Sequence, residues 1–472
     1  MRFDVIVVGG GTAGCVLASR LSESTDRRVC LLEAGPDYGP LSADGWPPEI
    51  LSARTDANTH LWESGAADGR TLGGKVLGGS SSVNACMVVQ GTSADYDEWG
   101  PGWSYESFRP YLERARVTLR TAPANTDRPS PFHLAFVEAA QALGFPRLDD
   151  LDDLSTPVGA GSFPANVVEG MRWNTALAYL DTCRSRPNLT LRPDTLVDRV
   201  VLRDGRAVGV VDDEGHVHEA AVVVLAAGAY FSPAILLRSG IGPEAELNRL
   251  AIPVASDLPV GKRLLDHCGV NAAWAPSRAL RDDADRRTRE GELFAPHALL
   301  KAASTACPPH AWDLHLVTWI AASEEPGEYE ANIMVFHMKP SSHGRLMLRS
   351  RDPSEPPQVE RGFLSDPADL PVVFEGLDLA RGLAAADPLA ELLAGERRPG
   401  PVARDDYVRS SIRGYFHPAG TCAVGEVVDP DGRVLGIDAL IVADASIMPT
   451  IPRANTNLTT AAIAERIAGT IT

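Results

Sequence analysis

Phe3-Asp4-Val5-Ile6-Val7-Val8-Gly9-Gly10-Gly11-Thr12-Ala13-Gly14 is the stretch that decides the fold. Its first half is a β-branched apolar run, the pattern of a strand buried on both faces. Its second half meets the G-x-G-x-x-G spacing and leads into Val16, Leu17 and Leu21, apolar positions at helical intervals that predict a helix from Ala13 to Ser22. A second apolar strand, Val29 to Leu32, ends in Glu33. Strand, glycine turn, helix, strand and terminal acid together form the opening of a dinucleotide site. Gly9 permits the tight turn, Gly11 lets a pyrophosphate approach the backbone, and Gly14 lets the helix sit on the strand. The helix start offers unpaired N–H groups to phosphate. Glu33 suits a ribose diol and would repel a 2′-phosphate, which disfavours NADP.

Outward from this segment, the chain has 472 residues, with 44 Lys+Arg against 62 Asp+Glu and a formal net charge of −18. That balance argues against nucleic acid or an anionic membrane as partner, since both need clustered cations. The longest apolar stretch, Ala220 to Phe231, is too short to span a bilayer. The N-terminus reads straight into the first strand, so a cytoplasmic location is expected. The seven cysteines are odd in number and without a C-x-x-C pair, and the close histidine pair His216/His218 lacks further ligands; neither a disulfide framework nor a metal site is expected.

Residues 36 to 72 are rich in Pro, Gly, Asp and Ser and read as irregular, followed by a glycine-serine segment at 73 to 82. Helices are expected at 105–115, 131–143 and 458–471. Strands are expected at 189–191, 197–202, 207–211, 221–225 and 440–444, with turns at Asp204-Gly205 and Glu214-Gly215. Alternation through 314–360 predicts an antiparallel sheet. The fold class read from this pattern is an α/β Rossmann-like domain interleaved with an α+β domain built on an antiparallel sheet. The expected division is 1–85, 190–265 and 420–472 for the cofactor domain, and 86–189 and 266–419 for the substrate domain.

The glycine fingerprint fits NAD and FAD alike. The strand Val222 to Leu225, ending in Ala226-Ala227-Gly228, favours FAD, because small residues there leave room beside a nucleotide. Further segments carry a resemblance: Gly74-Lys75-Val76-Leu77-Gly78-Gly79-Ser80-Ser81-Ser82-Val83-Asn84; Gly228 through Pro233 with Ser239-Gly240-Ile241-Gly242-Pro243; Val260-Gly261-Lys262-Arg263-Leu264-Leu265-Asp266-His267; His417-Pro418-Ala419-Gly420-Thr421; Asp444 through Pro449; and Asn455-Thr456-Asn457. Together they resemble the glucose–methanol–choline (GMC) oxidoreductase family over nearly the whole chain.

The resemblance implies FAD and the oxidation of an alcohol, with His417 and Asn455 as the catalytic pair. It also implies cofactor contacts from Gly9, Gly11, Thr12, Ala13, Gly14, Glu33, Ala34, Lys75, Val76, Gly79, Ser80, Asn84, Val197, Ala227, Asp444, Ala445, Asn455 and Thr456. Members with covalent FAD can carry a histidine just before the asparagine of the 78–84 loop. Val83 stands there and cannot form that bond, so FAD is expected to bind non-covalently.

Removing a proton from the hydroxyl and a hydride from the carbon requires a base, and a neutral histidine at position 417 suits that task. The Asn455 amide can donate to the developing alkoxide, or Asn455 and its neighbours can cap the last helix. His267 is the rival histidine; His60, His337 and His343 are further candidates. Trp62, Trp319, Phe336, Met338 and Phe416 are candidate pocket-wall residues, and no acidic cage for a quaternary amine is identifiable. The partner is a small-molecule alcohol; the electron acceptor is left open between oxygen, a quinone and another protein. The alternatives are a flavin dehydrogenase feeding a quinone or carrier and a non-oxidative flavin enzyme of the same fold.

Overall fold

The computed structural model describes residues 2–54, 57–63, 72–123, 129–291, 298–323 and 328–471. Parts of two expected regions, 55–56 and 64–71 in the irregular stretch and 324–327 in the alternating stretch, lie outside the described residues.

β1 (Phe3–Val8) runs into α1 (Thr12–Leu21) and β2 (Val29–Leu32), close to the expected bounds. α2 (Tyr105–Thr118) follows. β3 (Leu189–Arg192), β4 (Val197–Arg203), β5 (Arg206–Asp212) and β6 (Val217–Leu225) complete most of a seven-stranded sheet. Its order is β3-β2-β1-β6-β5-β4, with a short strand, Leu440–Val442, beside β6. β3, β2, β1, the end of β6 and Leu440–Val442 are mutually parallel; β5 pairs antiparallel with β6, and β4 antiparallel with β5. Val8, Leu32 and Leu225 are in register, so the carboxyl ends of three parallel strands open side by side, where α/β sheets hold ligands.

α3 (Gly228–Arg238) was not read from the sequence, because Pro233 sits inside it. Proline leaves the carbonyl four residues back without its helical donor. That carbonyl, on Ala229, accepts from the Thr421 hydroxyl at 2.8 Å, so a distant residue repairs the defect.

The second sheet is antiparallel, as expected, and also has seven strands. Its centre is β7 (Cys268–Pro276), β8 (Leu299–Ala302), β9 (Leu314–Ala322) and β10 (Tyr329–His337), ordered β7-β10-β9-β8. β7 escaped the sequence reading because Cys268-Gly269-Val270-Asn271-Ala272-Ala273 shows no strict alternation. One face packs on α4 (Asp369–Ala384), with Leu314, Leu316, Ile333 and Val335 against Val373 and Leu377 in a common core. α4 also went unread.

α5 (Thr456–Ala468) begins two residues before its expected start. It packs on α1 and α2 around Glu465, whose buried carboxylate takes Arg20 through two bonds of 2.8 Å and the Tyr179 hydroxyl at 3.1 Å, with Arg114 at 3.4 Å. Tyr96, Trp103, Phe108 and Leu112, together with Ala176 to Cys183, share the core of the first sheet rather than that of the second. The chain between 86 and 189 thus divides its packing between the two layers. No helix among the described residues is long and apolar enough to cross a membrane.

Candidate active site

The glycine turn is closed by contacts that leave no room for side chains. A Cβ on Gly14 would lie 1.8 Å from the Gly9 carbonyl oxygen, and one on Gly79 would lie 2.6 Å from the Gly11 Cα. The 78–82 segment therefore rests directly on the turn, with Gly78 N–H donating to Gly10 C=O at 2.7 Å. Val76 and Gly79 are buried, while Ser80 is exposed.

Glu33 reaches under the turn. Its two carboxylate oxygens accept from Gly10 N–H at 2.6 Å and Gly35 N–H at 2.8 Å. Burial pushes the carboxyl up to about 7, against the pull of these backbone donors. The connection before Val197 is tied to the same place, with Thr195 N–H on Glu33 C=O at 2.7 Å and Asp194 N–H on Gly35 C=O at 3.1 Å. Asp444 holds the opposite rim, accepting from Ser446 N–H, Gly228 N–H and the Ser232 hydroxyl. That hydroxyl also takes Ala227 N–H. Asn84 turns back on its own loop, accepting from Cys86 N–H at 3.0 Å.

The residues around this cleft fit a dinucleotide. Gly11 at the start of α1 supplies no side-chain cap, so the first-turn N–H groups are left for an anion. Thr12 donates to Asn457 at 2.7 Å, which joins the start of α1 to the start of α5, and the Asn457 Nδ2 is buried with no hydrogen-bond partner among the described residues. Two helix N-termini therefore face one cleft, a field that suits a pyrophosphate and a second anionic group.

The two catalytic candidates meet at this same N-terminal end of α5. A short antiparallel pairing sets them: Leu265 and Ala419 exchange both backbone bonds at 2.9 Å, Cys268 pairs with Gly414, and Tyr415 N–H donates to His267 C=O at 2.9 Å. Asp266 then accepts His417 N–H at 2.9 Å. Asn455 occupies the N-cap position of α5 but makes no side-chain cap bond. Its Oδ1 accepts from Val89 N–H at 3.1 Å, and its Nδ2 lies 3.3 Å from His417 Nε2. Of its two expected roles, the structure therefore shows the amide turned to the histidine instead of the helix.

His267 is the residue whose place the sequence did not reveal. Its Nε2 lies 3.0 Å from the Pro452 carbonyl and its Nδ1 lies 2.8 Å from His417 Nδ1, the rings at 89°. A carbonyl only accepts, so His267 carries its proton on Nε2. Burial, reinforced by His417 and His315, holds His267 well below the ordinary imidazole range, so the ring is neutral and its Nδ1 is an acceptor. His417 must then carry its proton on Nδ1, which leaves the lone pair on Nε2, the atom facing Asn455. Burial also pulls His417 down to about 3.

The wall candidates separate. Phe336 stacks on Tyr415, and the Tyr415 ring lies 4.5 Å from that of His417. Phe416 is 65 % exposed with φ of +62°. Trp62 packs on Phe231 at 4.3 Å with Lys75 over its ring, on the cofactor side. Met338 is buried, His337 pairs with Asp369 and His60 with the Tyr38 hydroxyl.

A glycine turn against Glu33, two helix starts on one cleft and a buried histidine–asparagine pair beyond it define a flavin-dependent oxidoreductase. The chain belongs to the GMC oxidoreductase family. Residues 3–269 match the family's N-terminal model and residues 340–464 its C-terminal model. It is 35 % identical to 5-(hydroxymethyl)furfural oxidase of Methylovorus sp., over 99 % of this chain and 98 % of that protein. It is 33 % identical to the mitochondrial choline dehydrogenase of Homo sapiens, over 100 % of this chain and 90 % of that protein. Among solved structures it resembles pyridoxine 4-oxidase from Mesorbium loti, with a TM-score of 0.84, 26 % identity and 99 % of each chain covered. The protein is an FAD enzyme that oxidises alcohol-type substrates.

Proposed function

We propose that the chain oxidises a primary alcohol to its carbonyl, with His417 Nε2 taking the hydroxyl proton and Asn455 Nδ2 donating to the alkoxide oxygen. The observation that carries this reading is the chain Pro452 C=O, His267, His417, Asn455, which leaves one basic nitrogen beside one amide donor in a buried site. Bound FAD supplies the hydride acceptor. The protein's part is to hold the hydroxyl between a neutral imidazole and an amide, in surroundings where burial strengthens both interactions. The Tyr415–Phe336 pair beside His417 offers the substrate an aromatic surface, which suits a flat alcohol.

The cofactor contacts in this reading are those of the glycine turn, Glu33, the 75–84 loop, Ala227, Asp444-Ala445 and Asn455-Thr456. The domain division that accompanies it assigns 1–85, 190–265 and 420–472 to FAD, with the 96–119 and 176–183 segments joining them through the shared core. FAD is held without a covalent bond in this reading, since Val83 offers no nucleophile.

The test is anaerobic mixing of FAD-loaded enzyme with benzylic, furanic and aliphatic alcohols while flavin absorbance is followed. Bleaching is expected in the wild type and its loss, with FAD retained, in His417→Ala. Wild-type bleaching rates in that variant would remove His417 as the base.

A further inference from the structure

The face of the antiparallel sheet nearest His417 is largely apolar, with Asn271 and Asn332 farther along it bonded to each other at 2.6 Å. Leu299, Val317 and Met334 form it with Met87 and Phe163. Lys301 and His315 stand directly opposite each other in β8 and β9, so their side chains share this face, two residues along from Leu299 and Val317. Lys301 is accounted for: its Nζ donates to Leu151 C=O at 2.5 Å, lies 4.0 Å from the Trp312 ring and has Asp152 as counter-charge.

His315 is not accounted for. It is fully buried, and neither ring nitrogen has a hydrogen-bond partner among the described residues. A buried polar group left unpaired costs about 1–3 kcal/mol, and this ring has two such atoms. A leucine would fill the site without that cost, so the ring points to a partner that arrives with the ligand. Burial, with Lys301 and His417 nearby, keeps it neutral, so it can donate at one nitrogen and accept at the other. Tyr415 meets it edge-on at 6.3 Å between centroids while stacking flat on Phe336 at 3.7 Å. Since Tyr415 also adjoins His417, His315 stands about one aromatic ring away from the reacting end.

We propose that His315 anchors a second polar group of the substrate, so that the site selects flat alcohols carrying an uncharged hydroxyl, carbonyl or ring nitrogen at the end remote from the carbinol. Lys301, directly opposite His315, opposes a cation at that position. The proposal rests on the reading of His417 and Asn455 as the alcohol-oxidising pair and specifies which alcohols that pair receives.

The experiment measures, on FAD-loaded enzyme, the ratio of kcat/KM for para-hydroxybenzyl alcohol over benzyl alcohol. The wild type is expected to favour the hydroxylated alcohol. His315→Leu is expected to lower the ratio by about tenfold or more, the loss typical of one buried hydrogen bond. His315→Asn, which restores a donor and an acceptor, is expected to recover part of it. A ratio near one in the wild type, or the same ratio in wild type and His315→Leu, overturns the proposal. If neither alcohol bleaches the wild-type flavin, the alcohol reading fails instead. The anchor is then decided by the same ratio of Kd values for para-hydroxybenzaldehyde and benzaldehyde, read from the flavin spectrum. Should His315→Leu not fold, the comparison of His315→Asn with His315→Gln against wild type gives the same decision, and equal ratios in all three overturn the anchor.

Discussion

His267 Nδ1 and His417 Nδ1 lie 2.8 Å apart, and only one of the two can hold the proton. The Pro452 carbonyl settles which, because it occupies the other His267 nitrogen as an acceptor. His267 is thus a positioning residue that sets the tautomer of His417. Replacing it with leucine is expected to slow flavin reduction at saturating alcohol by about ten- to a hundredfold, the worth of a buried hydrogen bond, with FAD content retained. His267→Asn should recover part of the rate, because an amide oxygen can accept in place of Nδ1. Equal rates in both variants would show that His267 only fills space.

In the proposed mechanism, Asn455→Ala removes a single donor to the alkoxide. The flavin reduction rate is expected to fall about a hundredfold, close to 3 kcal/mol, with a smaller effect on FAD content. Stopped-flow reduction across a substrate concentration series separates the rate from binding.

The Glu33 carboxyl, raised to about 7 by burial, titrates where FAD affinity is measured. In the proposed reading the ribose hydroxyls donate to this carboxylate, and the proton competes with them. As pH falls through 7, the Kd of the FAD-free protein for FAD is expected to rise, approaching about tenfold per unit at lower pH, with protons released on binding. Glu33→Gln should bind more weakly and lose this pH dependence. Fluorescence titration between pH 6 and 8, ranges set by that shift, reads both effects.

Acid precipitation is expected to leave the flavin in the supernatant. Val83 offers no nucleophile, and burial pushes the nearby Cys86 thiol up to about 11, so it is protonated at neutral pH. A yellow pellet would contradict this.

Glu465 joins three helices through a carboxylate with no solvent exposure. Glu465→Ala leaves Arg20 with Glu23 as its remaining carboxylate partner and the Tyr179 hydroxyl without its acceptor, and is expected to cost about 3 kcal/mol of stability, near the lower end for breaking a buried pair. Chemical denaturation of the FAD-loaded protein measures it.

Local pattern was sufficient for β1, α1, β2 and the glycine turn, since neighbours in sequence make those elements and apolar spacing reports them. β7 and α3 were hidden for opposite reasons. β7 owes its strand to β10 and lacks an alternation of its own, and α3 tolerates Pro233 only because Thr421 satisfies the freed carbonyl. His417 and Asn455 were legible as residue types in motifs, though nothing in their spacing showed which way Asn455 would turn.

From its sequence alone, this protein declared a dinucleotide turn, an acid for a ribose, a histidine and an asparagine. The tertiary structure decided which nitrogen of that histidine is basic, because the answer depends on a carbonyl at Pro452 and a ring at His267 far away along the chain. It also decided that His315 stands without a hydrogen-bond partner among the described residues, close to His417. Proton placement depends on hydrogen-bond partners a few ångströms away in space, and those partners come from segments whose separation in sequence carries no information about their contact.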